Sequence, residues 1–252
     1  MAKIALITGA TAGIGEACAH IFAREGYNLI LTGRRLERLE KLAKKLNTKY
    51  NTEIAVSSFD VRDREQVNSN LEALPAKWKK VNVLINNAGL SQGLDPINKG
   101  SLDDWDTMID TNVKGLLYVS RIISGWMIAH KRGHIINLGS IAGKDVYPNG
   151  NVYCATKHAV DALNKAMRID LLPHGIRVTA IHPGAVETEF SEVRFHGDKE
   201  RAKKVYDGFE PLVAADVADT VWFAVSRPKH VNISELIVTP VAQANATTIF
   251  RS

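Results

Sequence analysis

The chain of 252 residues is poor in several features that mark whole classes of protein. Its only cysteines are Cys18 and Cys154. Two thiols cannot build a disulfide scaffold, and so few fit a reducing compartment. With 8 prolines and 18 glycines, collagen-like, low-complexity and disordered readings are excluded. No apolar run approaches the ~18–20 residues needed to cross a bilayer. The opening run Ile4–Ile7 is too short for the apolar core of a secretory leader. An excess of one charge is also missing, since 32 Lys+Arg against 27 Asp+Glu leave a net charge of +5. The densest basic stretch, Arg34 to Lys45, carries Glu37 and Glu40 among its bases and reads as a solvated helix face. No nucleic-acid or membrane partner is expected, and a cytoplasmic location is. His130 and His134 are separated by Gly133 and by a change from helix to strand, so no metal site is expected either.

What the chain does have is alternation. Short apolar runs predict strands at Ile4–Thr8, Asn28–Thr32, Glu53–Phe59, Val81–Ile85, His134–Leu138, Arg177–His182 and Glu235–Thr239. Helical periods fill the intervals at Ile14–Glu25, Arg35–Asn47, Arg64–Leu74, Asp103–His130, Val152–Leu172 and Ala214–Ser226. Strands apolar at consecutive positions are covered on both faces. Strand–helix alternation then implies an α/β fold, a doubly wound, Rossmann-type parallel sheet of seven strands in one domain over residues 1–252. A closed eight-fold barrel is disfavoured by the strand count. Residues 183–208 lack a strand pattern, carry a short helix around Asp198–Tyr206, and read as a lid over the site. The tail 240–252 is small and polar until Ile249-Phe250, which are expected to pack late.

The first strand runs into Gly9-Ala10-Thr11-Ala12-Gly13-Ile14-Gly15. Glycines at a strand–helix turn let the backbone approach a pyrophosphate, and the helix start offers free amides. The second strand ends in Gly33-Arg34-Arg35 where an enzyme selective for the unphosphorylated cofactor would carry an acid. Two guanidinium groups there suit a 2′-phosphate, so NADP is the expected cofactor. Asp60-Val61 and Asn87-Ala88-Gly89 follow the third and fourth strands, positioned for adenine and ribose. Thirteen residues after Ser140 comes Tyr153-x-x-x-Lys157, whose phenol and ammonium share a helix face. Lowering a phenol by two pKa units takes about 2.7 kcal/mol, and one cation about 4 Å away at an effective dielectric near 20 offers about 4. The pair therefore suffices for proton transfer with an alcohol or carbonyl.

The set TGATAGIG, NNAG, Asn112, Ser140, Tyr153-x-x-x-Lys157 and His182-Pro183-Gly184 resembles the short-chain dehydrogenase/reductase family over nearly the whole chain. The stretches LTGRR, NNAGLSQG, HIINLGSIAG and PGAVETEFSEVRFHGD resemble, within it, the NADP-dependent 3-hydroxy acid dehydrogenases. The resemblance implies that Tyr153 is the acid/base, that Lys157 lowers its pKa and holds the nicotinamide ribose, that Ser140 holds the substrate oxygen, and that Asn112 continues a proton relay. It places NADP along Gly9 to Ile14, Arg34, Arg35, Asp60, Val61 and Asn87, with Pro183, Gly184, Val186 and Thr188 at its nicotinamide end. It further implies a cytoplasmic homotetramer. The activity implied is hydride transfer between NADP and C3 of small 3-hydroxy acids such as serine, L-allo-threonine and 3-hydroxyisobutyrate, or reduction of malonic semialdehyde. Two alternatives stay open: the same chemistry on a sugar, quinone or steroid ketone, and a non-catalytic NADP-sensing protein. For the substrate carboxylate the first candidate is Arg194 in the lid, with Gln92, Lys144 and Arg251 behind it. Cys154 is expected to pack as a small apolar residue.

Overall fold

The structure, a computed structural model, describes residues 2–252. Strands β1 (Ile4–Ile7), β2 (Asn28–Gly33), β3 (Ile54–Ser58), β4 (Val83–Asn86), β5 (Gly133–Leu138), β6 (Ile176–Pro183) and β9 (Glu235–Val238) form one sheet in the order β3-β2-β1-β4-β5-β6-β9. Every pairing is parallel. A two-stranded ribbon of β7 (Val186–Glu187) and β8 (Leu212–Val213) lies apart from it. Helices α1 (Gly13–Arg24), α2 (Leu36–Tyr50), α3 (Arg64–Glu72), α4 (Leu102–Ile109), α5 (Leu116–Ala129), α6 (Asn151–Leu171) and α9 (Ala214–Val225) fill the crossovers.

The unbroken apolar strands follow from burial on two faces. In β1, Ala5 and Ile7 point into a core with α1, α2 and α9, including Phe22, Leu39, Leu46 and Val221. Ile4 and Leu6 point the other way, into a core with α3, α5 and α6 that holds Val67, Leu71, Ile123 and Leu171. The two-residue period thus serves two layers at once. Local signals set the ends of several helices. The Asp63 side chain accepts from the backbone of Glu65 and Gln66 to cap α3, and Asn51 turns left-handed (φ 51°) to end α2.

Three expectations needed correcting. The long helix expected over Asp103–His130 is α4 and α5 joined by a π-helical stretch, Asp110–Gly115. The 183–208 segment contains strand β7 and two short helices, α7 (Phe190–Arg194) and α8 (Lys199–Lys204), where one helix and no strand were expected. In the tail, Gln243 is buried and accepts from the Ala185 amide at 2.8 Å, whereas Phe250 stays 74% exposed. Among the described residues no helix is long and apolar enough to cross a membrane.

His134 shows what burial does to a polar group here. Thr179 Oγ donates to the Ile233 carbonyl, so the His134 Nε2–H donates to Thr179 Oγ at 2.8 Å, and Nδ1 carries no proton and has no partner. Burial, with the charge of Arg177, pushes the imidazole down to about 3. An unfolded histidine titrates near 6.5, so between about pH 6.5 and 3 the unfolded chain binds the extra proton and stability falls as the pH falls. This one group should cost about 2 kcal/mol between pH 6.5 and pH 5. His134→Asn should have a visibly flatter dependence of melting temperature on pH over that interval, measured by circular dichroism. Parallel curves would refute the assignment.

Candidate active site

The strand order reverses at β1, between β2 and β4, and there the crossovers leave in opposite directions. The carboxyl ends of the strands open on a cleft of about 640 Å³, where open α/β sheets bind ligands. Gly9 (φ 66°) bends the first turn, and a Cβ there would meet Ala88 Cα and Asn87 Nδ2 at 3.0 Å. Asn87 donates to the Thr8 and Gly9 carbonyls at 2.9 and 3.1 Å, and Thr8 Oγ accepts from the amides of Asn87 and Ala88. Asn87 thus ties two strand ends together while lining the cleft. The N-cap of α1 is Ala12, which offers no side-chain acceptor, so the first-turn amides remain available to an anion. A pyrophosphate fits this cradle.

Thr11, Ala12, Gly13, Ile14, Arg34, Arg35, Asp60, Val61, Ala88, Gly89, Pro183, Gly184, Val186 and Thr188 all line the same cleft. Ala10 and Gly15 are buried beneath the loop and shape it without lining the cleft. The two arginines divide. Arg34 is 61% exposed with only Asp60 near it, at 4.0 Å, and is free for a phosphate. Arg35 donates to Thr11 Oγ from Nε and Nη2, and to Glu189 from Nη1 at 2.9 Å. Burial raises the Asp60 carboxyl, but hydrogen bonds from Arg62 and the charges of Arg62 and Arg34 outweigh it and hold the group below its ordinary value. Arg62 was not anticipated.

Ser140 follows the end of β5, and its Oγ accepts from the Ala142 amide at 3.1 Å. The Ser140 side chain also favours the ionised form of the Tyr153 phenol, which α6 presents to the same cleft. Lys157, one turn on, is buried and donates to the Leu138 carbonyl at 2.9 Å. Burial drops its ammonium to about 8. Asn112 lies in the π-helical stretch, where its amide clamps the Leu90 main chain at 2.8 Å from both ends and reaches Thr156 Oγ at 3.0 Å. Cys154 packs with Leu90, Met108 and Ala142.

The electrostatic expectation for the Tyr–Lys pair needs correction. The Lys157 ammonium is 5.9 Å from the Tyr153 ring centroid and directed at a carbonyl. Burial raises the phenol above its ordinary value, and the charge that chiefly counters this is Arg194, helped by the Ser140 hydrogen bond. The Arg194 guanidinium stands 5.3 Å from the Tyr153 and Phe190 ring centroids and 5.8 Å from that of Tyr147. Both of its hydrogen bonds end on hydroxyls, Ser91 at 3.1 Å and Tyr147 at 2.8 Å. Among the described residues no carboxylate pairs with it, so the cleft holds an uncompensated cation over the phenol.

The remaining candidates separate. Gln92 faces a different cavity beside Tyr153, of about 10 Å³, room for one water, so it does not serve the cleft. Lys144 is spent on Asp161 at 2.9 Å and Glu235 at 2.5 Å, outside the cleft. With His182 those two acids make a cluster of metal-ligating type, but the Lys144 ammonium holds its centre. Arg251 lines the cleft but donates to the Val205 and Asp207 carbonyls of the lid.

A parallel Rossmann-type sheet with a glycine cradle, a half-buried Ser140 and the buried Tyr153 and Lys157 at its carboxyl edge defines a nicotinamide-nucleotide oxidoreductase. The family model for the short chain dehydrogenases matches residues 3–199, and the chain belongs to that family. It is similar to the NADP-dependent 3-hydroxy acid dehydrogenase YdfG of Salmonella typhi, with 46% identity over 96% of this chain and 97% of that one. The NADP-dependent 3-hydroxy acid dehydrogenase of Schizosaccharomyces pombe is 40% identical over 99% of this chain and 96% of its own. Among solved structures, the closed form of a serine dehydrogenase complexed with NADP+ has a TM-score of 0.92 at 44% identity, covering 99% of both chains.

If Arg194 acidifies Tyr153, removing it must raise the phenol's pKa. Arg194→Ala should therefore shift the acid limb of kcat/KM for oxidation of a neutral alcohol, where the phenol must lose its proton to act as base, to higher pH. An unmoved limb would exclude the electrostatic role.

Proposed function

We propose that this chain is an NADP-dependent dehydrogenase of small 3-hydroxy acids, exchanging hydride at C3. The observation that carries the reading is Arg194, an unpaired guanidinium over the Tyr153 phenol in the cleft that holds the nucleotide cradle. A substrate whose carboxylate meets Arg194 brings a hydroxyl two carbons away toward Ser140 and Tyr153. A sugar, quinone or steroid ketone has no carboxylate for that cation, and a non-catalytic sensor has no use for a phenol set between Ser140 and Arg194. The similarity to proteins named for 3-hydroxy acid and serine dehydrogenation supports the same substrate class.

NADP, when bound, supplies the hydride acceptor. Gly9, Thr11 to Ile14 and the start of α1 hold its pyrophosphate, Arg34 its 2′-phosphate, Asp60 and Val61 its adenine, and Lys157 its nicotinamide ribose, with Pro183 to Thr188 closing the far end. In alcohol oxidation Ser140 would donate a hydrogen bond to the substrate oxygen, and Tyr153 Oη would take the hydroxyl proton as hydride leaves C3. In reduction the phenol returns that proton. The Asn112 side-chain amide is committed to Leu90 and Thr156, so it holds the wall of the site rather than moving freely in it. We extend the reading to a cytoplasmic homotetramer. Unpaired buried Cys18 and Cys154 suit a reducing compartment, and exposed Ile109 and Leu117 on α4 and α5, with Ile169 near the end of α6, suit subunit contacts.

The test follows formation of reduced nicotinamide with serine, L-allo-threonine, 3-hydroxyisobutyrate and a cyclic alcohol. Turnover of the acids with NADP is expected, and activity confined to the cyclic alcohol would overturn the substrate class. Tyr153→Phe should lose about 10²–10⁴-fold in kcat with little change in NADP affinity. Arg34→Ala should cost about tenfold or more in KM for NADP and leave NAD use unchanged, as loss of a charge-assisted phosphate contact requires; equal losses with both nucleotides would refute the assignment.

A further inference from the structure

Arg194 is carried by α7, a helix of five residues. One so short has no stability of its own and stands where its neighbours hold it. On the substrate side the Arg194 carbonyl accepts from the Gly93 amide at 3.0 Å, and its guanidinium meets Ser91 and Tyr147. At the lid's base, Ser191 Oγ meets Tyr206 Oη at 2.7 Å. The nucleotide side contributes through Glu189, the residue that begins α7. Its two carboxylate oxygens accept from Arg35 at 2.9 Å and Arg38 at 2.7 Å. Arg35 is itself pinned to Thr11 in the glycine turn, and Arg38 lies outside the cleft in the first turn of α2. This forked ion pair joins residues 151 and 154 apart in sequence.

We propose that Glu189 is a positioning residue. By accepting from Arg35 and Arg38 together it ties α7 to the nucleotide-binding half, and so sets Arg194 over Tyr153 for a substrate carboxylate. The inference deepens the reading of Arg194 as the carboxylate anchor and rests on it. Each pair is half-exposed, and such pairs are individually weak. The tie adjusts the lid rather than locking it. Its effect falls on KM for substrates whose carboxylate meets Arg194; a neutral alcohol feels Arg194 only through the phenol's pKa, so above the pH limb set by Tyr153 it is indifferent to the tie.

The experiment is a double-mutant cycle in the full-length protein with NADP, measuring KM and kcat for serine and for a neutral secondary alcohol. Glu189→Gln and Arg38→Ala should each raise KM for serine about three- to tenfold. Measured at a pH above the limb set by Tyr153, each should leave kcat/KM for the alcohol within about twofold, the span of ordinary surface substitutions. Glu189→Asp, which keeps the charge, should recover part of the loss. NADP affinity, read by nucleotide fluorescence, should be unmoved in Arg38→Ala. In an Arg194→Ala background Glu189→Gln should add nothing. If Arg194→Ala impairs serine selectively but Glu189→Gln has no effect, or an equal effect in both backgrounds, the positioning role is refuted while the anchor stands. If Arg194→Ala fails to distinguish serine from the alcohol, the anchor and the positioning role fall together.

Discussion

Strand β1 pairs with β2 on one side and β4 on the other, and that double pairing is the constraint on which the molecule turns. From it the chain winds outward in both directions with its crossovers on opposite faces. Two layers of helices must leave a gap where the winding reverses. Six elements of the site are the turns after strands: the glycine turn after β1, Arg34 after β2, Asp60 after β3, Asn87 after β4, Ser140 after β5 and Gly184 after β6, with Tyr153 and Lys157 added by α6 and Arg194 by α7. Thr8 and Asn87 lace the central pair together, so the cradle is held by the same contacts that hold the sheet.

Across that gap the charges are sorted. The two cations beside the phenol rest on neutral acceptors, Lys157 on a carbonyl and Arg194 on two hydroxyls. Nearby carboxylates are engaged elsewhere, Asp60 with Arg62 and the Asp161–Glu235 pair with Lys144. Burial makes each unpaired charge costly, as the lowered Lys157 and raised Tyr153 record. Cations held on neutral partners in this way are left available to anionic ligands.

The sequence was informative where local rules act. Apolar runs located all seven strands of the main sheet within a few residues, because the central strands are buried on two faces and are mostly apolar. The glycine turn and the Tyr–Lys spacing were legible because each needs specific residue types at fixed offsets. Where the expectation went astray, a longer-range effect prevailed. The π-helical stretch around Asn112 leaves the apolar pattern of its helix intact, so periodicity alone does not reveal it. Helix α7 is shorter than any window in which a helical period can be read. Gln92 sits two residues beyond Leu90, on which Asn112 closes, yet it turns into a different cavity. For Arg62, its partner Asp60 two residues away was a signal that could have been read. Arg38 has its partner 151 residues further on, and nothing local announces it.

By itself, then, the sequence determined the sheet, its parallel sense, the nucleotide cradle and the identity of the phenol and ammonium, since these follow from spacing and side-chain chemistry along one stretch of chain. Only the tertiary structure decided which cation faces the phenol. Position i+4 on a helix brings Lys157 near Tyr153, but the depth of burial and the nearest carbonyl direct its ammonium to Leu138. Arg194 arrives from α7, forty-one residues downstream, to stand over the ring. Electrostatics depends on distance and burial in space, and neither quantity is written in residue order.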